Sequence, residues 1–117
     1  MRTLRATLPL TLALLFAVGL ASAGDPKTPL GKWMKPNMGA PMAGQDFAAL
    51  KKGFDTVGSK PPAKGASSDY AQWGAISTKG STAAAAQDVA GVKAACKSCH
   101  EQYKQAYITD YPTAAFP

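Results

Sequence analysis

Apolar positions recur every three or four residues through most of this chain, the mark of amphipathic helices. The clearest stripe is Val89, Val92, Cys96, Cys99, Tyr103 and Tyr107. It predicts a helix from about Asp88 to Tyr107, with Asp88 as N-cap, and sets both cysteines on the buried face. A second stripe, Phe47, Leu50, Phe54 and Val57, is interleaved with Lys51, Lys52 and Asp55. It predicts a helix from Asp46 to Val57, capped by Asp46 and closed by Gly58 in the left-handed C-terminal position. Tyr70, Trp73, Ile76 and Ser77 share one face of a third helix, which starts near Ser68 or Asp69 and runs to about Gly80. Trp73 reads as a core aromatic. The stretch from Gly58 to Ser68 is rich in Pro, Gly and Ser and reads as a solvated connector, and the tail from Ile108 to Pro117 as irregular.

The segment from Thr28 to Ala43 carries conflicting signals. Leu30, Met34, Met38 and Met42 recur every four residues, and Thr28-Pro29 is a good helix start. Pro36 and Pro41 each remove a helical hydrogen bond and crowd the preceding turn. The expectation is a short, kinked first helix or two half-helices; a non-helical segment is the other reading. No strand pattern competes. The fold class expected is therefore all-α, a small four-helix bundle in one domain over residues 24–117.

The first residues change the picture of where the protein works. Arg2 and Arg5 precede an apolar stretch from Leu8 to Leu20, and Ala21-Ser22-Ala23 offers a cleavage signature. Residues 1–23 read as a cleavable signal peptide, too short to span a membrane, which predicts a periplasmic or otherwise exported protein. Cleavage leaves 94 of 117 residues and lowers the formal charge from +6 to +4, as Arg2 and Arg5 are lost. The remaining lysines are scattered in runs of no more than two, and no arginine is left, which argues against nucleic acid as a partner.

Cys96-Lys97-Ser98-Cys99-His100 carries the chemistry. These are the only cysteines and the only histidine in the chain. C-x-x-C-H is the attachment site of a c-type haem. Two thiols one helical turn apart can each bond a vinyl-derived carbon of the porphyrin, and the next residue can offer its imidazole to iron. A thioredoxin-like redox pair wants a preceding strand and an α/β chain. A zinc site needs a fourth ligand that this sequence lacks. A structural disulfide fits an exported protein but gives the histidine no task. One covalent haem c also supplies apolar bulk to a chain otherwise marginal for its core.

From Val92 to Lys104 (VKAACKSCHEQYK) the residues resemble the last-helix signature of class II c-type cytochromes, the cytochrome c-prime-like group. The likeness extends more loosely over the helical segments from Leu30 to Tyr107. It implies a four-helix bundle with haem on the last helix, and pairing of two copies through their first helices. Only 17 residues follow His100 and none is Met, so a methionine ligand must come from upstream. The resemblance puts the distal residue in the first half of the first helix, which favours Met34, then Met38. Met42 lies too close to the following turn.

Two function classes follow. With His100 and a methionine on iron, the protein is a six-coordinate electron carrier of raised potential. With the distal side open, it is a five-coordinate protein that takes NO or CO, the methionines serving as packing. Enzymatic function is not expected, because there is no second histidine to act as the distal base of a haem peroxidase. The carrier reading expects redox partner proteins with acidic faces, docking on Lys93, Lys97 and Lys104.

Overall fold

Among the described residues four helices form and there is no strand. The computed structural model describes residues 26–117; the signal peptide read at residues 1–23 falls outside them. Helix α1 covers 29–44 in three joined pieces: Pro29–Met34, a π turn at Lys35–Gly39, and Ala40–Gly44. Helix α2 is Phe47–Gly58 and α3 is Trp73–Ala85. Helix α4 covers 89–110, also in three pieces: Val89–Cys99, a π turn at His100–Lys104, and Gln105–Asp110. Successive helices pack in chain order, α1 on α2, α2 on α3 and α3 on α4, as an up-and-down all-α bundle.

Side-chain caps explain where the helices start. Thr28 Oγ1 accepts the Gly31 N–H at 3.0 Å, with Pro29 opening α1. Asp46 and Asp88 accept the N–H groups of Ala49 at 3.1 Å and Gly91 at 3.0 Å, as their sequence positions predict. The two short turns are built alike. Gln45 and Gln87 take left-handed conformations, with φ 52° and 54°. The next N–H groups, of Asp46 and Asp88, return to the carbonyls of Pro41 and Ala83, both at 2.9 Å. Each Gln-Asp pair thus closes one helix in a Schellman motif and caps the next.

The first helix is two short α-helical pieces joined by a π turn, in line with the half-helices expected: the Ala40 N–H reaches back five residues to the Lys35 carbonyl, and this wider turn absorbs the prolines. Four other expectations need correction. Gly58 is not a left-handed cap; it lies inside α2, where a methyl group would fall 2.8 Å from Ser77 Cβ, so its smallness serves helix contact. Helix α3 starts later than expected, because Ser68 Oγ and Asp69 Oδ1 take the Tyr70 and Ala71 N–H groups and Tyr70 is left-handed at φ 57°. It also runs past Gly80 to Ala85, since that glycine admits the Phe54 ring. The tail begins at Tyr111, three residues later than expected.

The core is drawn mostly from α2, α3 and α4, with Leu30 of α1 and Tyr70 of the connector. Leu50 and Val92 are 1% and 0% exposed, with Phe54, Val57, Trp73, Ile76, Ala84, Tyr103 and Tyr107 packed around them. Each large apolar side chain buried this way contributes about 1.5–3 kcal/mol. The Trp73 indole N–H donates to the Val57 carbonyl at 2.8 Å, so this tryptophan is a satisfied core residue, as read from the sequence. Among the described residues no helix is long and apolar enough to cross a membrane.

Candidate functional site

Cys96 and Cys99 close the regular part of α4, and His100 opens its π turn. The helix forms here because Val92, Ala95 and Tyr103 are buried against α3 on one side, while Lys93, Lys97, Glu101 and Lys104 face water on the other. Both thiols are unpaired and half-buried at the edge of the core. The stripe therefore brings them to the boundary of the buried face rather than fully inside it.

Burial pushes the Cys99 thiol up to about 11, the neighbouring Cys96 adding to it, and raises Cys96 as well. Such thiols stay protonated at neutral pH. This is the reverse of the depressed thiolate that a disulfide oxidoreductase needs, and it weighs against that use of the pair. His100 keeps much of its surface open. Partial burial, with the charge of Lys104 next, lowers its pKa, so the imidazole is neutral and free to donate a nitrogen.

The backbones of α1 and α4 are not in close contact. No Cα of α1 comes within 8 Å of one in α4, whereas each is in contact with its neighbour in the chain. Close helix packing would bring the axes to 8–10 Å. The seam between them is bridged at one end by the tail, where the Phe116 ring meets Trp33 edge-on at 4.9 Å. Met34, Met38 and Met42 are half-buried against the core.

Cross-bundle contacts set the heights along this seam. Gly53 of α2 faces Met38; Gly58 and Gly80 pair with Ser77 and Phe54. Gly91 faces Ala83, and the Gln72 N–H donates to the Tyr103 hydroxyl at 2.6 Å. Followed through these three antiparallel pairs, Met34 comes level with about Lys97, next to Cys96, Met38 with Lys93 and Met42 with Val89. Side chains lean toward the N-terminus of their own helix. In antiparallel α1 and α4, Met34 therefore leans toward the height of His100, and His100 toward that of Cys96.

The methionines differ in a second way. A methyl group on Gly53 would fall 2.1 Å from the Met38 sulfur, so that sulfur is seated in a notch of α2. No glycine notch of this kind receives the Met34 side chain among the described residues, and it packs half-buried against the core. The π turns themselves escaped sequence reading.

The donor set fits a covalent c-type haem: two neutral, unpaired thiols one turn apart, a neutral imidazole beside them, and a thioether at matching height across the seam. Two surface hollows lie elsewhere, one along α2 and one of 270 Å³ at the bundle end between Trp73, Tyr107, Tyr111 and Phe116. The chain matches no protein-family model, no curated protein and no solved structure.

Proposed function

We propose that the protein is an exported monohaem c-type cytochrome of the class II type that carries single electrons between protein partners. Cys96 and Cys99 provide the sulfurs of two thioether bonds, His100 the proximal nitrogen and Met34 the distal sulfur. The observation that carries this reading is the juxtaposition of the C-x-x-C-H turn of α4 with the Met34 turn of α1, at one height across a seam that the two helices do not close. Haem, once bound, supplies a one-electron iron couple.

The chain's own residues do the rest. The thioether bonds fix the group to α4. The neutral His100 imidazole donates without first losing a proton. The Met34 thioether raises the reduction potential and fills the distal side against exogenous ligands. Met38, seated in α2, joins α1 to α2. Lys93, Lys97 and Lys104 are exposed around the attachment turn and suit an acidic docking face. Lys97 is only loosely paired, 3.8 Å from Glu101, and both are open to solvent. Reversing these three charges should slow electron transfer at low salt and flatten its dependence on ionic strength.

The deciding experiment is the absorption spectrum of the haem-loaded protein, ferric and ferrous, before and after CO. The carrier reading expects low-spin spectra, a sulfur-to-iron charge-transfer band and no response to CO. A high-spin ferrous form that binds CO at once overturns it in favour of gas binding. A protein isolated without covalent haem overturns both.

A further inference from the structure

All four tyrosines of the chain, Tyr70, Tyr103, Tyr107 and Tyr111, converge on one cluster with Trp73. Tyr70 is its hub, with ring centroids 5.3 Å from Tyr103, 5.9 Å from Tyr111, 6.0 Å from Trp73 and 6.4 Å from Tyr107. Tyr103 belongs to the π turn that His100 opens, and Tyr111 is half-exposed at the far end of α4. The cluster thus runs from the attachment turn to the surface.

Tyr70 differs from the other three in its hydroxyl. It donates to Asp110 Oδ2 at 2.8 Å, the only tyrosine bond to a carboxylate among the described residues. Tyr103 accepts a backbone N–H and Tyr111 donates to the Ala63 carbonyl. Asp110 is held in place by the Ser67 N–H, which it accepts at 3.0 and 3.1 Å. The Tyr70 ring is 3% exposed, on a backbone at φ 57°. Left-handed backbone is uncommon for a bulky residue and is kept only where its surroundings enforce it. Here it turns the ring into the hub and the hydroxyl onto Asp110.

A phenol releases its electron easily only if its proton leaves at the same time, and a fixed carboxylate in hydrogen-bond contact is the group to take it. We propose that Tyr70 is a redox-active tyrosine, with Asp110 its proton acceptor and Tyr103 and Tyr111 its contacts toward the attachment turn and the surface. The step balances. Tyr70 gives one electron to a one-electron oxidant and its phenolic proton to Asp110 Oδ2, leaving a neutral phenoxyl radical and a carboxylic acid. An electron arriving through Tyr111 from an external reductant, and return of the proton, restore both. Its service to a haem rests on the function proposed above; the redox chemistry of Tyr70 does not.

The test is flash oxidation of the purified full chain by a photo-excited ruthenium polypyridyl complex with persulfate as electron sink, followed by freeze-quench electron paramagnetic resonance. The expected result is a phenoxyl signal that narrows in protein grown with ring-deuterated tyrosine, is lost in Tyr70→Phe, persists in Tyr103→Phe, and forms more slowly in Asp110→Asn. A signal undiminished in Tyr70→Phe, or formed at the wild-type rate in folded Asp110→Asn, overturns the proposal. Circular dichroism of each variant checks folding, and Tyr70→Phe remains decisive if Asp110→Asn unfolds. The oxidant is supplied from outside and an absorption spectrum of the same sample reads haem attachment separately, so failure of either reading is recognised on its own.

Discussion

The inner and outer pairs of this bundle are built on different rules. Helices α2 and α3 are α-helical from end to end and lock together where glycine admits a neighbour, Gly58 on Ser77 and Gly80 on Phe54. Helices α1 and α4 each carry a π turn, hold half-buried sulfur side chains and stay apart. π turns insert a residue without ending a helix, and they gather at functional sites. Where only packing must be satisfied, this chain is regular. Where side chains are presented to a seam, it accepts the less favourable turn on both sides, one holding Met38 and the other opened by His100.

The largest effect should come from the outer pair. Replacing Cys96 and Cys99 together by Ala removes both tethers, and no haem should survive denaturing electrophoresis; either single variant should retain one thioether bond. The mass of the purified chain reads this directly. Retention of covalent haem in the double variant would end the attachment reading.

Next come the two candidate sulfurs, where the seam and the notch make opposite claims. Met34→Ala should abolish the sulfur-to-iron charge-transfer band and open the ferrous protein to CO. Met38→Ala should leave the band in place and only loosen α1. Gly53→Ala sharpens the contrast, because its methyl group displaces the Met38 sulfur and also comes to 3.1 Å from the Asn37 carbonyl. It should lower thermal stability by about 1 kcal/mol, in the range of mild overpacking, with the band unchanged. A band lost in Met38→Ala and kept in Met34→Ala would reverse the assignment.

The inner pair offers a test within one helix. Gly74 and Gly80 both lie in α3, but a methyl group at Gly74 meets nothing within 4 Å, while one at Gly80 falls 2.3 Å from the Phe54 ring. Replacing an unencumbered helical glycine by alanine stabilises by about 0.5–1 kcal/mol. Overpacking a close contact costs about 1–3 kcal/mol, so at Gly80 the clash wins. Gly74→Ala should raise the urea midpoint and Gly80→Ala should lower it. A rise in both would mean that the α2–α3 contact is looser than its geometry.

Much of this comparison was readable from the residues, and the omissions have physical causes. Helix caps at Thr28, Asp46 and Asp88 and the stripes of α2 and α4 are local signals, and they placed those elements within a few residues. Cys96, Cys99 and His100 stood out as candidates because their residue types occur nowhere else in the chain. Gly58 was misread as a left-handed cap and Gly80 as a helix end because a glycine's local meaning, a turn, and its tertiary meaning, a close approach, look alike in sequence. The late start of α3 depended on the left-handed Tyr70, which is held by Asp110 forty residues away. Periodicity alone did not rank Met34 above Met38; the family resemblance favoured Met34, and the notch at Gly53, which seats the Met38 sulfur, is a tertiary feature that no local pattern announces.

The smallest effect concerns the link between the two inner helices. Asp55 of α2 accepts the Ser81 hydroxyl of α3 at 2.5 Å and the Lys51 ammonium at 2.7 Å. Lys51 first, and then Ser81, hold its carboxyl below the ordinary 3.8. A carboxylate depressed in the folded state stabilises the fold above its unfolded value, and that contribution is lost as pH falls through the folded one, because the unfolded chain binds the proton first. Asp110 has the same sign: desolvation raises it, but the Tyr70 hydroxyl and the Ser67 N–H outweigh that and hold it low. The thermal midpoint should therefore fall as pH is taken below about 4. Asp55→Asn should flatten part of that fall and Asp110→Asn another part, while both variants lie below the wild type at neutral pH. Since Asp55 and Lys51 are about half exposed, added salt should shrink the Asp55 contribution. Should the Asp55→Asn profile instead run parallel to the wild type down to pH 2, the α2–α3 pair is held by the glycine contacts and the core alone, and the inner half of the bundle is indifferent to charge.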